Sequence, residues 1–225
     1  MLDIVLPKNN ESEFLRIAEQ ISYKWLIFAY GLDSFNPSKI KAFSSHKANL
    51  NIAIAIIITD PSQTKKASKL ADLVIAIPSK QNLRVFIEKV QCDLIINLET
   101  LEQKDPLHFR ASGLNQVLAK ILAKKEKFLC INRSTLNTKQ KSILFGRIAQ
   151  NIMLCKKYRV PVIMASFAAS PLEMLYFHDV ISFFNLFQLN PKETKQNYKA
   201  LIEKIKFNRK RKSPTFIAKG IEIVE

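Results

Sequence analysis

A single α/β domain built as a TIM-barrel-like βα-barrel is the fold this sequence predicts, on three observations. Short apolar, β-branched runs alternate with amphipathic segments along nearly the whole chain, the pattern of a parallel sheet with right-handed crossovers. Roughly seven such runs fit into 225 residues, which favours a closed or nearly closed barrel over an open doubly wound sheet. The run Ile-Ala-Ile-Ala-Ile-Ile-Ile inside Asn51–Thr59 is almost unbroken. Such a run suits a parallel strand covered on both faces.

The elements follow in order. Leu2–Leu6 reads as a first buried strand closed by Pro7, and Asn10 as the cap of a helix to about Ile21, with Phe14, Leu15 and Ala18 inward. Trp25–Tyr30 is a second strand ending at Gly31, followed by a weakly patterned stretch, Phe35–His46, that predicts a short helix between loops. After Asn51–Thr59 come Pro61–Leu70 as helix, Asp72–Ile77 as strand, Lys80–Val90 as helix and Asp93–Leu98 as strand. The stretch Asp105–Lys124 starts as a loop. Pro106 disfavours helix in the residue before it, and Ser112 is the expected cap of the helix that follows. Leu114, Val117, Leu118, Ile121 and Leu122 then form one apolar stripe. Phe128–Asn132 is a strand, Thr138–Tyr158 a long helix and Val162–Ala165 the last barrel strand. Pro171–Phe187 and Pro191–Lys206 are helical. The barrel is expected to occupy residues 1–206, with 207–225 as a basic tail.

Composition narrows the function classes. A chain with 48% apolar residues supports a substantial core. Lys and Arg number 35 against 19 Asp and Glu, a net charge of +16. That excess points to a polyanionic partner, nucleic acid ahead of a membrane surface. The three cysteines, Cys92, Cys130 and Cys155, are widely spaced in apolar surroundings and read as reduced core residues. No run reaches the roughly 18 to 20 apolar residues of a membrane span, and Met1–Pro7 lacks the pattern of a signal peptide. A soluble cytoplasmic protein is expected.

Enzyme motifs are sparse. With four glycines (Gly31, Gly113, Gly146 and Gly220) there is no Gly-x-Gly-x-x-Gly and no P-loop. His46, His108 and His178 are far apart and form no His-x-His or His-Glu-x-x-His. Asp33, Asp60 and Asp93 lie near strand boundaries, where capping and turn formation are their expected roles. Ser166 and Ser170 follow a strand, but no glycine elbow surrounds them, so close packing at a strand-to-helix turn is expected instead. The binding signal is stronger. Arg84, His108, Arg110 and Arg133 lie in or beside strand-end segments, and Lys124 closes a helix with Lys125. Arg209, Lys210, Arg211 and Lys212 form a basic run that is either a solvated tail or a phosphate-contacting arm. Arginine suits phosphate through its planar donor fork.

Several segments together resemble the archaeal branch of the RNase P/MRP thirty-kilodalton subunit family. They are Met-Leu-Asp-Ile-Val-Leu-Pro at the start, Asn82–Ile95, His108–Lys124, Val162–Met174 and the tail from Lys210. The resemblance spans nearly the whole chain. It implies a βα-barrel similar to PHP phosphoesterases, in a non-catalytic RNA-binding subunit of ribonuclease P. That ribonucleoprotein removes the 5′ leader from precursor tRNA. It further implies that the RNA subunit carries the chemistry with magnesium and that this chain binds no cofactor. The implied partners are the RNase P RNA, a small ferredoxin-like protein subunit, other RNase P proteins and, indirectly, precursor tRNA. Arg84 and Arg110 match the family segments and are the leading RNA contacts. Two positions depart. Phe167 stands where the family usually has glycine, and Met174-Leu175 where it tends to have arginine, which puts one RNA contact there in doubt. A PHP-like metal-dependent phosphoesterase on the same barrel is the alternative, and the absent histidine motif argues against it.

Overall fold

The computed structural model describes residues 2–37, 50–138, 140–213, 216–218 and 221–222. Seven strands pair in sequence order, all parallel: β1 (Leu2–Val5), β2 (Trp25–Gly31), β3 (Asn51–Ile58), β4 (Leu73–Ala76), β5 (Leu94–Ile96), β6 (Phe128–Asn132) and β7 (Val162–Ala165). Helices flank them: α1 (Glu11–Gln20), α2 (Thr64–Leu70), α3 (Leu83–Glu88), α4 (Gln116–Lys124), α5 (Lys141–Tyr158), α6 (Phe177–Leu186) and α7 (Pro191–Arg211). A small antiparallel pair, β8 (Phe216–Ala218) and β9 (Ile221–Glu222), follows.

The sheet curls into a nearly closed barrel. At the carboxyl end β1 meets the chain just after β7, where Val5 bridges Ala168. The Leu6 amide donates to the Ala168 carbonyl (2.8 Å) and the Phe167 amide to that of Ile4 (2.9 Å). Lower down, the edge of β7 turned away from β6 takes a side chain instead of a strand. The Tyr198 hydroxyl of α7 accepts from the Met164 amide (3.1 Å) and donates to the Met164 carbonyl. A buried strand edge must satisfy its polar groups, and one phenol satisfies two of them here.

The apolar run in β3 behaves as expected, with Ala53, Ile54, Ala55, Ile56 and Ile58 all buried. Phe14, Leu15 and Ala18 of α1 are buried as well, and Phe14 meets Phe28 of β2 edge to face at 6.5 Å. Each fully buried Phe or Ile among them contributes roughly 1.5–3 kcal/mol by leaving water. Cys92, Cys130 and Cys155 are free and buried, and burial raises the thiol pKa of Cys92 to about 11.

Several boundaries differ from expectation. Ser112 does not cap α4. Its hydroxyl bonds the Leu114 carbonyl (3.3 Å), while Asn115 caps the helix by accepting from the Leu118 amide (2.9 Å). Asn10 precedes α1, yet its carboxamide accepts from the Lys8 amide and donates to the Ala169 carbonyl. The expected helix over Pro171–Phe187 is a short turn, Pro171–Glu173, then extended backbone, then α6. The short helix expected over Phe35–His46 falls largely on residues 38–46, outside the described residues, and residues 35–37 are not helical.

The largest correction concerns the C-terminal segment. Helix α7 runs through the expected boundary at Lys206 and ends at Arg211. Nothing in Lys-Phe-Asn-Arg-Lys-Arg breaks a helix, and the inward stripe Tyr198, Leu201, Ile205 and Asn208 is buried against the barrel. The basic run is therefore neither a frayed tail nor a free arm.

Candidate nucleic-acid interface

The predicted cations fall into two groups. The first lies toward the carboxyl end of the strands, where barrels gather binding groups. Arg84 sits in the first turn of α3, just past a loop tied to that end by the Asn82 carboxamide, which donates to the Thr59 carbonyl (3.2 Å). Its guanidinium pairs with Glu88 one turn on (2.7 Å) while 76% exposed. A surface pair of this kind is worth only about 0.3–0.5 kcal/mol, so a phosphate can take the arginine over. Arg133 opens a short turn, Arg133–Leu136, that Asn132 caps from the end of β6 by accepting from the Ser134 amide (2.9 Å).

His108 and Arg110 are exposed on the long loop between β5 and α4. The loop is held from below by two buried side chains of α5, Asn151, which donates to the Ser112 carbonyl (2.8 Å), and Arg147. Arg147 of α5, 4% exposed, donates from Nε to Asp105 (2.8 Å). From one Nη it donates to the carbonyls of Glu99 (2.9 Å) and Glu102 (2.6 Å). Asp105 accepts in turn from the Ala111 amide (2.8 Å). Burial alone would raise the Asp105 carboxyl, but the Ala111 amide and the Arg147 guanidinium hold it below its ordinary range. Gly113 completes the turn at φ +77°, where an added Cβ would lie 2.4 Å from the Leu98 carbonyl oxygen. Only glycine suits such a position.

Arg110 lies across α5, donating to the Gly146 carbonyl (3.1 Å). Beside it Leu107 and Phe109 are 92% and 64% exposed. An exposed aromatic between a histidine and an arginine offers a stacking face for an unpaired base next to a phosphate ligand. Phe109 was missed in the sequence, although the quartet Leu-His-Phe-Arg was in plain view. Arg147 could not be found there, because its partner Asp105 is 42 residues away.

The second group gathers at the opposite, amino end. Helix α7 runs under the barrel, and its polar side chains bond to strand beginnings. Asn208 donates to the Asp72 carbonyl (2.9 Å) and to Asp93 (3.2 Å). Arg209 donates to the Ile52 carbonyl (2.5 Å) and Asp72 (2.8 Å), with its guanidinium 5.6 Å from the Trp25 ring centre. Lys212 donates to the Ala71 carbonyl (2.5 Å). Arg209 and Lys212 are thus engaged within the fold. Lys124 ends α4 at this same end, far from His108 and Arg110 at the other. Asp72 and Asp93 accept from amides of the neighbouring strands, Ile54 (3.0 Å) and Val74 (2.8 Å). That is a structural role, as expected for Asp93. Asp60 likewise caps a turn at the Ser62 amide (2.7 Å).

Three polar side chains near the barrel mouth are buried. Asp3, pushed up to about 6 by burial against the pull of the Ser166 amide, joins β1 to the end of β7. Glu99 is pushed up to about 7 by burial, and its Oε1 has no partner among the described residues. Ser166 donates to the Ile4 carbonyl (3.3 Å) and accepts from the Ala168 amide (3.1 Å), so it closes a corner, as expected, with Asp3 held on its amide (2.8 Å). The next residue, Phe167, is buried at φ +46°. That left-handed backbone is one in which glycine is unstrained. Met174 and Leu175 are also buried. Among the described residues no three His, Cys, Asp or Glu side chains converge as metal ligands. No described helix is long and apolar enough to cross a membrane.

Comparison with known proteins agrees with this geometry. The family model for RNase P subunit p30 matches residues 3–213. Ribonuclease P protein component 3 of Methanosarcina barkeri is 23% identical over 226 residues, covering 97% of this chain and 91% of that one. Among solved structures, a chain of archaeal ribonuclease P with mature tRNA superposes with a TM-score of 0.83 at 17% identity, covering 100% of this chain and 98% of its own. Histidinol phosphate phosphatase from Lactococcus lactis, solved with zinc, L-histidinol and phosphate, superposes with a TM-score of 0.58 at 11% identity. That match covers 83% of this chain and 92% of the phosphatase. At these identities the structural likenesses show the fold.

Proposed function

The chain belongs to the RNase P subunit p30 family, and on that premise we propose that it is a non-catalytic, RNA-binding protein subunit of ribonuclease P. In this reading it supports the catalytic domain of the RNase P RNA, which cuts the 5′ leader from precursor tRNA using its own magnesium. Arg84, His108, Arg110 and Arg133 meet phosphates near the carboxyl end of the barrel, and Phe109 stacks on an unpaired base. A small ferredoxin-like subunit is its protein partner.

One observation carries the RNA-binding part. The loop with His108, Phe109 and Arg110 presents cationic and aromatic groups to solvent while a buried arginine fixes its base. Binding groups on a preorganised loop lose little entropy on docking. The test is affinity for the cognate RNase P RNA across a salt series. Arg84→Ala with Arg110→Ala should weaken binding and flatten the salt slope by about two phosphate contacts' worth, roughly 1.4–1.8 units. Unchanged affinity in that variant would refute the assignment of these arginines.

A further inference from the structure

We propose that the amino end of the barrel, opposite the loop that carries His108 and Arg110, is a second docking cleft for RNA phosphates. This deepens the reading of the chain as an RNA-binding subunit and rests on it. The cleft, about 270 Å³, lies where the carboxyl-terminal ends of α3, α4 and α7 converge. Six cations line it: Lys89, Lys125, Lys127, Lys204, Arg211 and Lys212.

The acidic residues on its wall are already engaged. Glu88 pairs with Arg84 (2.7 Å). Asp93 accepts from the Val74 amide and from Asn208, and lies 3.9 Å from Lys204. Besides Lys204, two of the cations are engaged too. The Lys127 ammonium, on a residue 3% exposed, donates to the carbonyls of Phe86 (2.5 Å), Ile87 (2.9 Å) and Val90 (2.7 Å), which ties the end of α3 to the start of β6. Lys212 is held on the Ala71 carbonyl. What remains is a surplus of exposed positive charge. Lys89, Lys125 and Arg211 form no ion pair with any described residue, and the charge of Arg211 acts on Asp93.

Burial is the first cause that pushes Lys212 below its ordinary range, opposed by Asp72 and joined by Arg211 and Arg209. Burial does the same to Lys127, opposed by Cys92 and joined by Lys125. Three helices bring the surplus cations from separate parts of the chain onto a scaffold held by buried bonds. Concave, one-signed and preorganised surfaces suit a phosphodiester backbone, which presents charge at regular spacing.

The test uses the full chain with Lys89→Gln, Lys125→Gln and Arg211→Gln together, all exposed positions where folding should be unaffected. Affinity for the cognate RNase P RNA is measured over a salt series beside wild type and the Arg84→Ala, Arg110→Ala variant. The triple variant should bind about tenfold more weakly at moderate salt, with a salt slope shallower by roughly two units. Unchanged affinity and slope in the triple variant, with wild type binding, would overturn the proposal alone. Intact RNA binding with weakened assembly with the protein subunits would assign the cleft to an acidic protein and overturn it as well. Wild type that binds no RNase P RNA would overturn the functional reading and this proposal with it.

Discussion

Replacing Arg147 by Met removes an anchor of the β5–α4 loop while keeping most of the side chain's bulk. Arg147 makes three charge-assisted bonds, to Asp105 and to the carbonyls of Glu99 and Glu102, from a site 4% exposed. Removing one member of a buried ionic cluster typically costs about 3–5 kcal/mol, because the partners are left unsatisfied. Asp105 is 23% exposed and can recover some hydration, and the Met side chain recovers apolar contact. Both discounts bring the expected loss to about 3 kcal/mol. For a chain of this size that lowers Tm by roughly 6–12 °C. The assay is urea unfolding followed by circular dichroism, with calorimetry for Tm. Limited proteolysis should also cut the 101–112 segment faster in the variant, since the loop loses three bonds to α5 and keeps only those of Arg110 to Gly146 and Asn151 to Ser112 among the described residues. A loss below about 1 kcal/mol, with the loop as resistant as in wild type, would refute the claim that Arg147 holds it.

Other outcomes follow from the same structure. Gly146→Ala places a Cβ 2.6 Å from an Arg110 Nη, so the arginine must leave α5. Folding should be unchanged or stabilised by up to about 1 kcal/mol through helix propensity, while RNA affinity changes. Equal RNA affinity would show that the resting pose of Arg110 is irrelevant. Lys127→Met takes a charged donor from three carbonyls, of which that of Val90 keeps the Cys92 amide (3.1 Å), and should destabilise by about 2–4 kcal/mol in urea unfolding. Glu99 titrates near 7 when folded and near its ordinary 4.5 when unfolded. The unfolded chain therefore ionises first, and this group's contribution to stability falls as pH rises from about 4.5 to 7, then levels. Glu99→Gln should flatten that fall and, at pH 8, stabilise by about 2–3 kcal/mol, read from unfolding curves at several pH values. Phe167→Gly relieves about 1 kcal/mol of backbone strain but loses a buried ring worth about 3–5 kcal/mol. Urea unfolding should show a net loss of about 2–4 kcal/mol.

The barrel was legible because its signal is local. Seven apolar runs between amphipathic segments define the strands, and Asn190 before Pro191 marks the start of α7 by a capping box that the structure contains. What was hidden depends on contacts far apart in sequence. Ser112 and Asn115 are both good caps, and the choice fell to Asn115 because Gly113 turns the loop against Leu98 first. The basic run Lys206–Lys212 has the composition of a solvated tail. It is ordered by bonds from Asn208, Arg209 and Lys212 to backbone atoms more than 130 residues earlier. The phenol that seals the β7 edge sits 34 residues from its strand partner Met164. The candidate cations were legible as residue types, but not their division between the two ends of the barrel. In a βα-barrel, helices end at the amino face, so Lys89 and Lys125 at helix ends carried that signal.

The central claim is tested most directly by cleavage of precursor tRNA. The cognate RNase P RNA and the small partner subunit are assayed at limiting magnesium with and without this chain. Addition of the chain should stimulate release of the 5′ leader, and the Arg84→Ala, Arg110→Ala variant should lose most of that stimulation while remaining folded. No stimulation by the folded wild-type chain would contradict the account and return attention to a metal-dependent phosphoesterase on the same barrel.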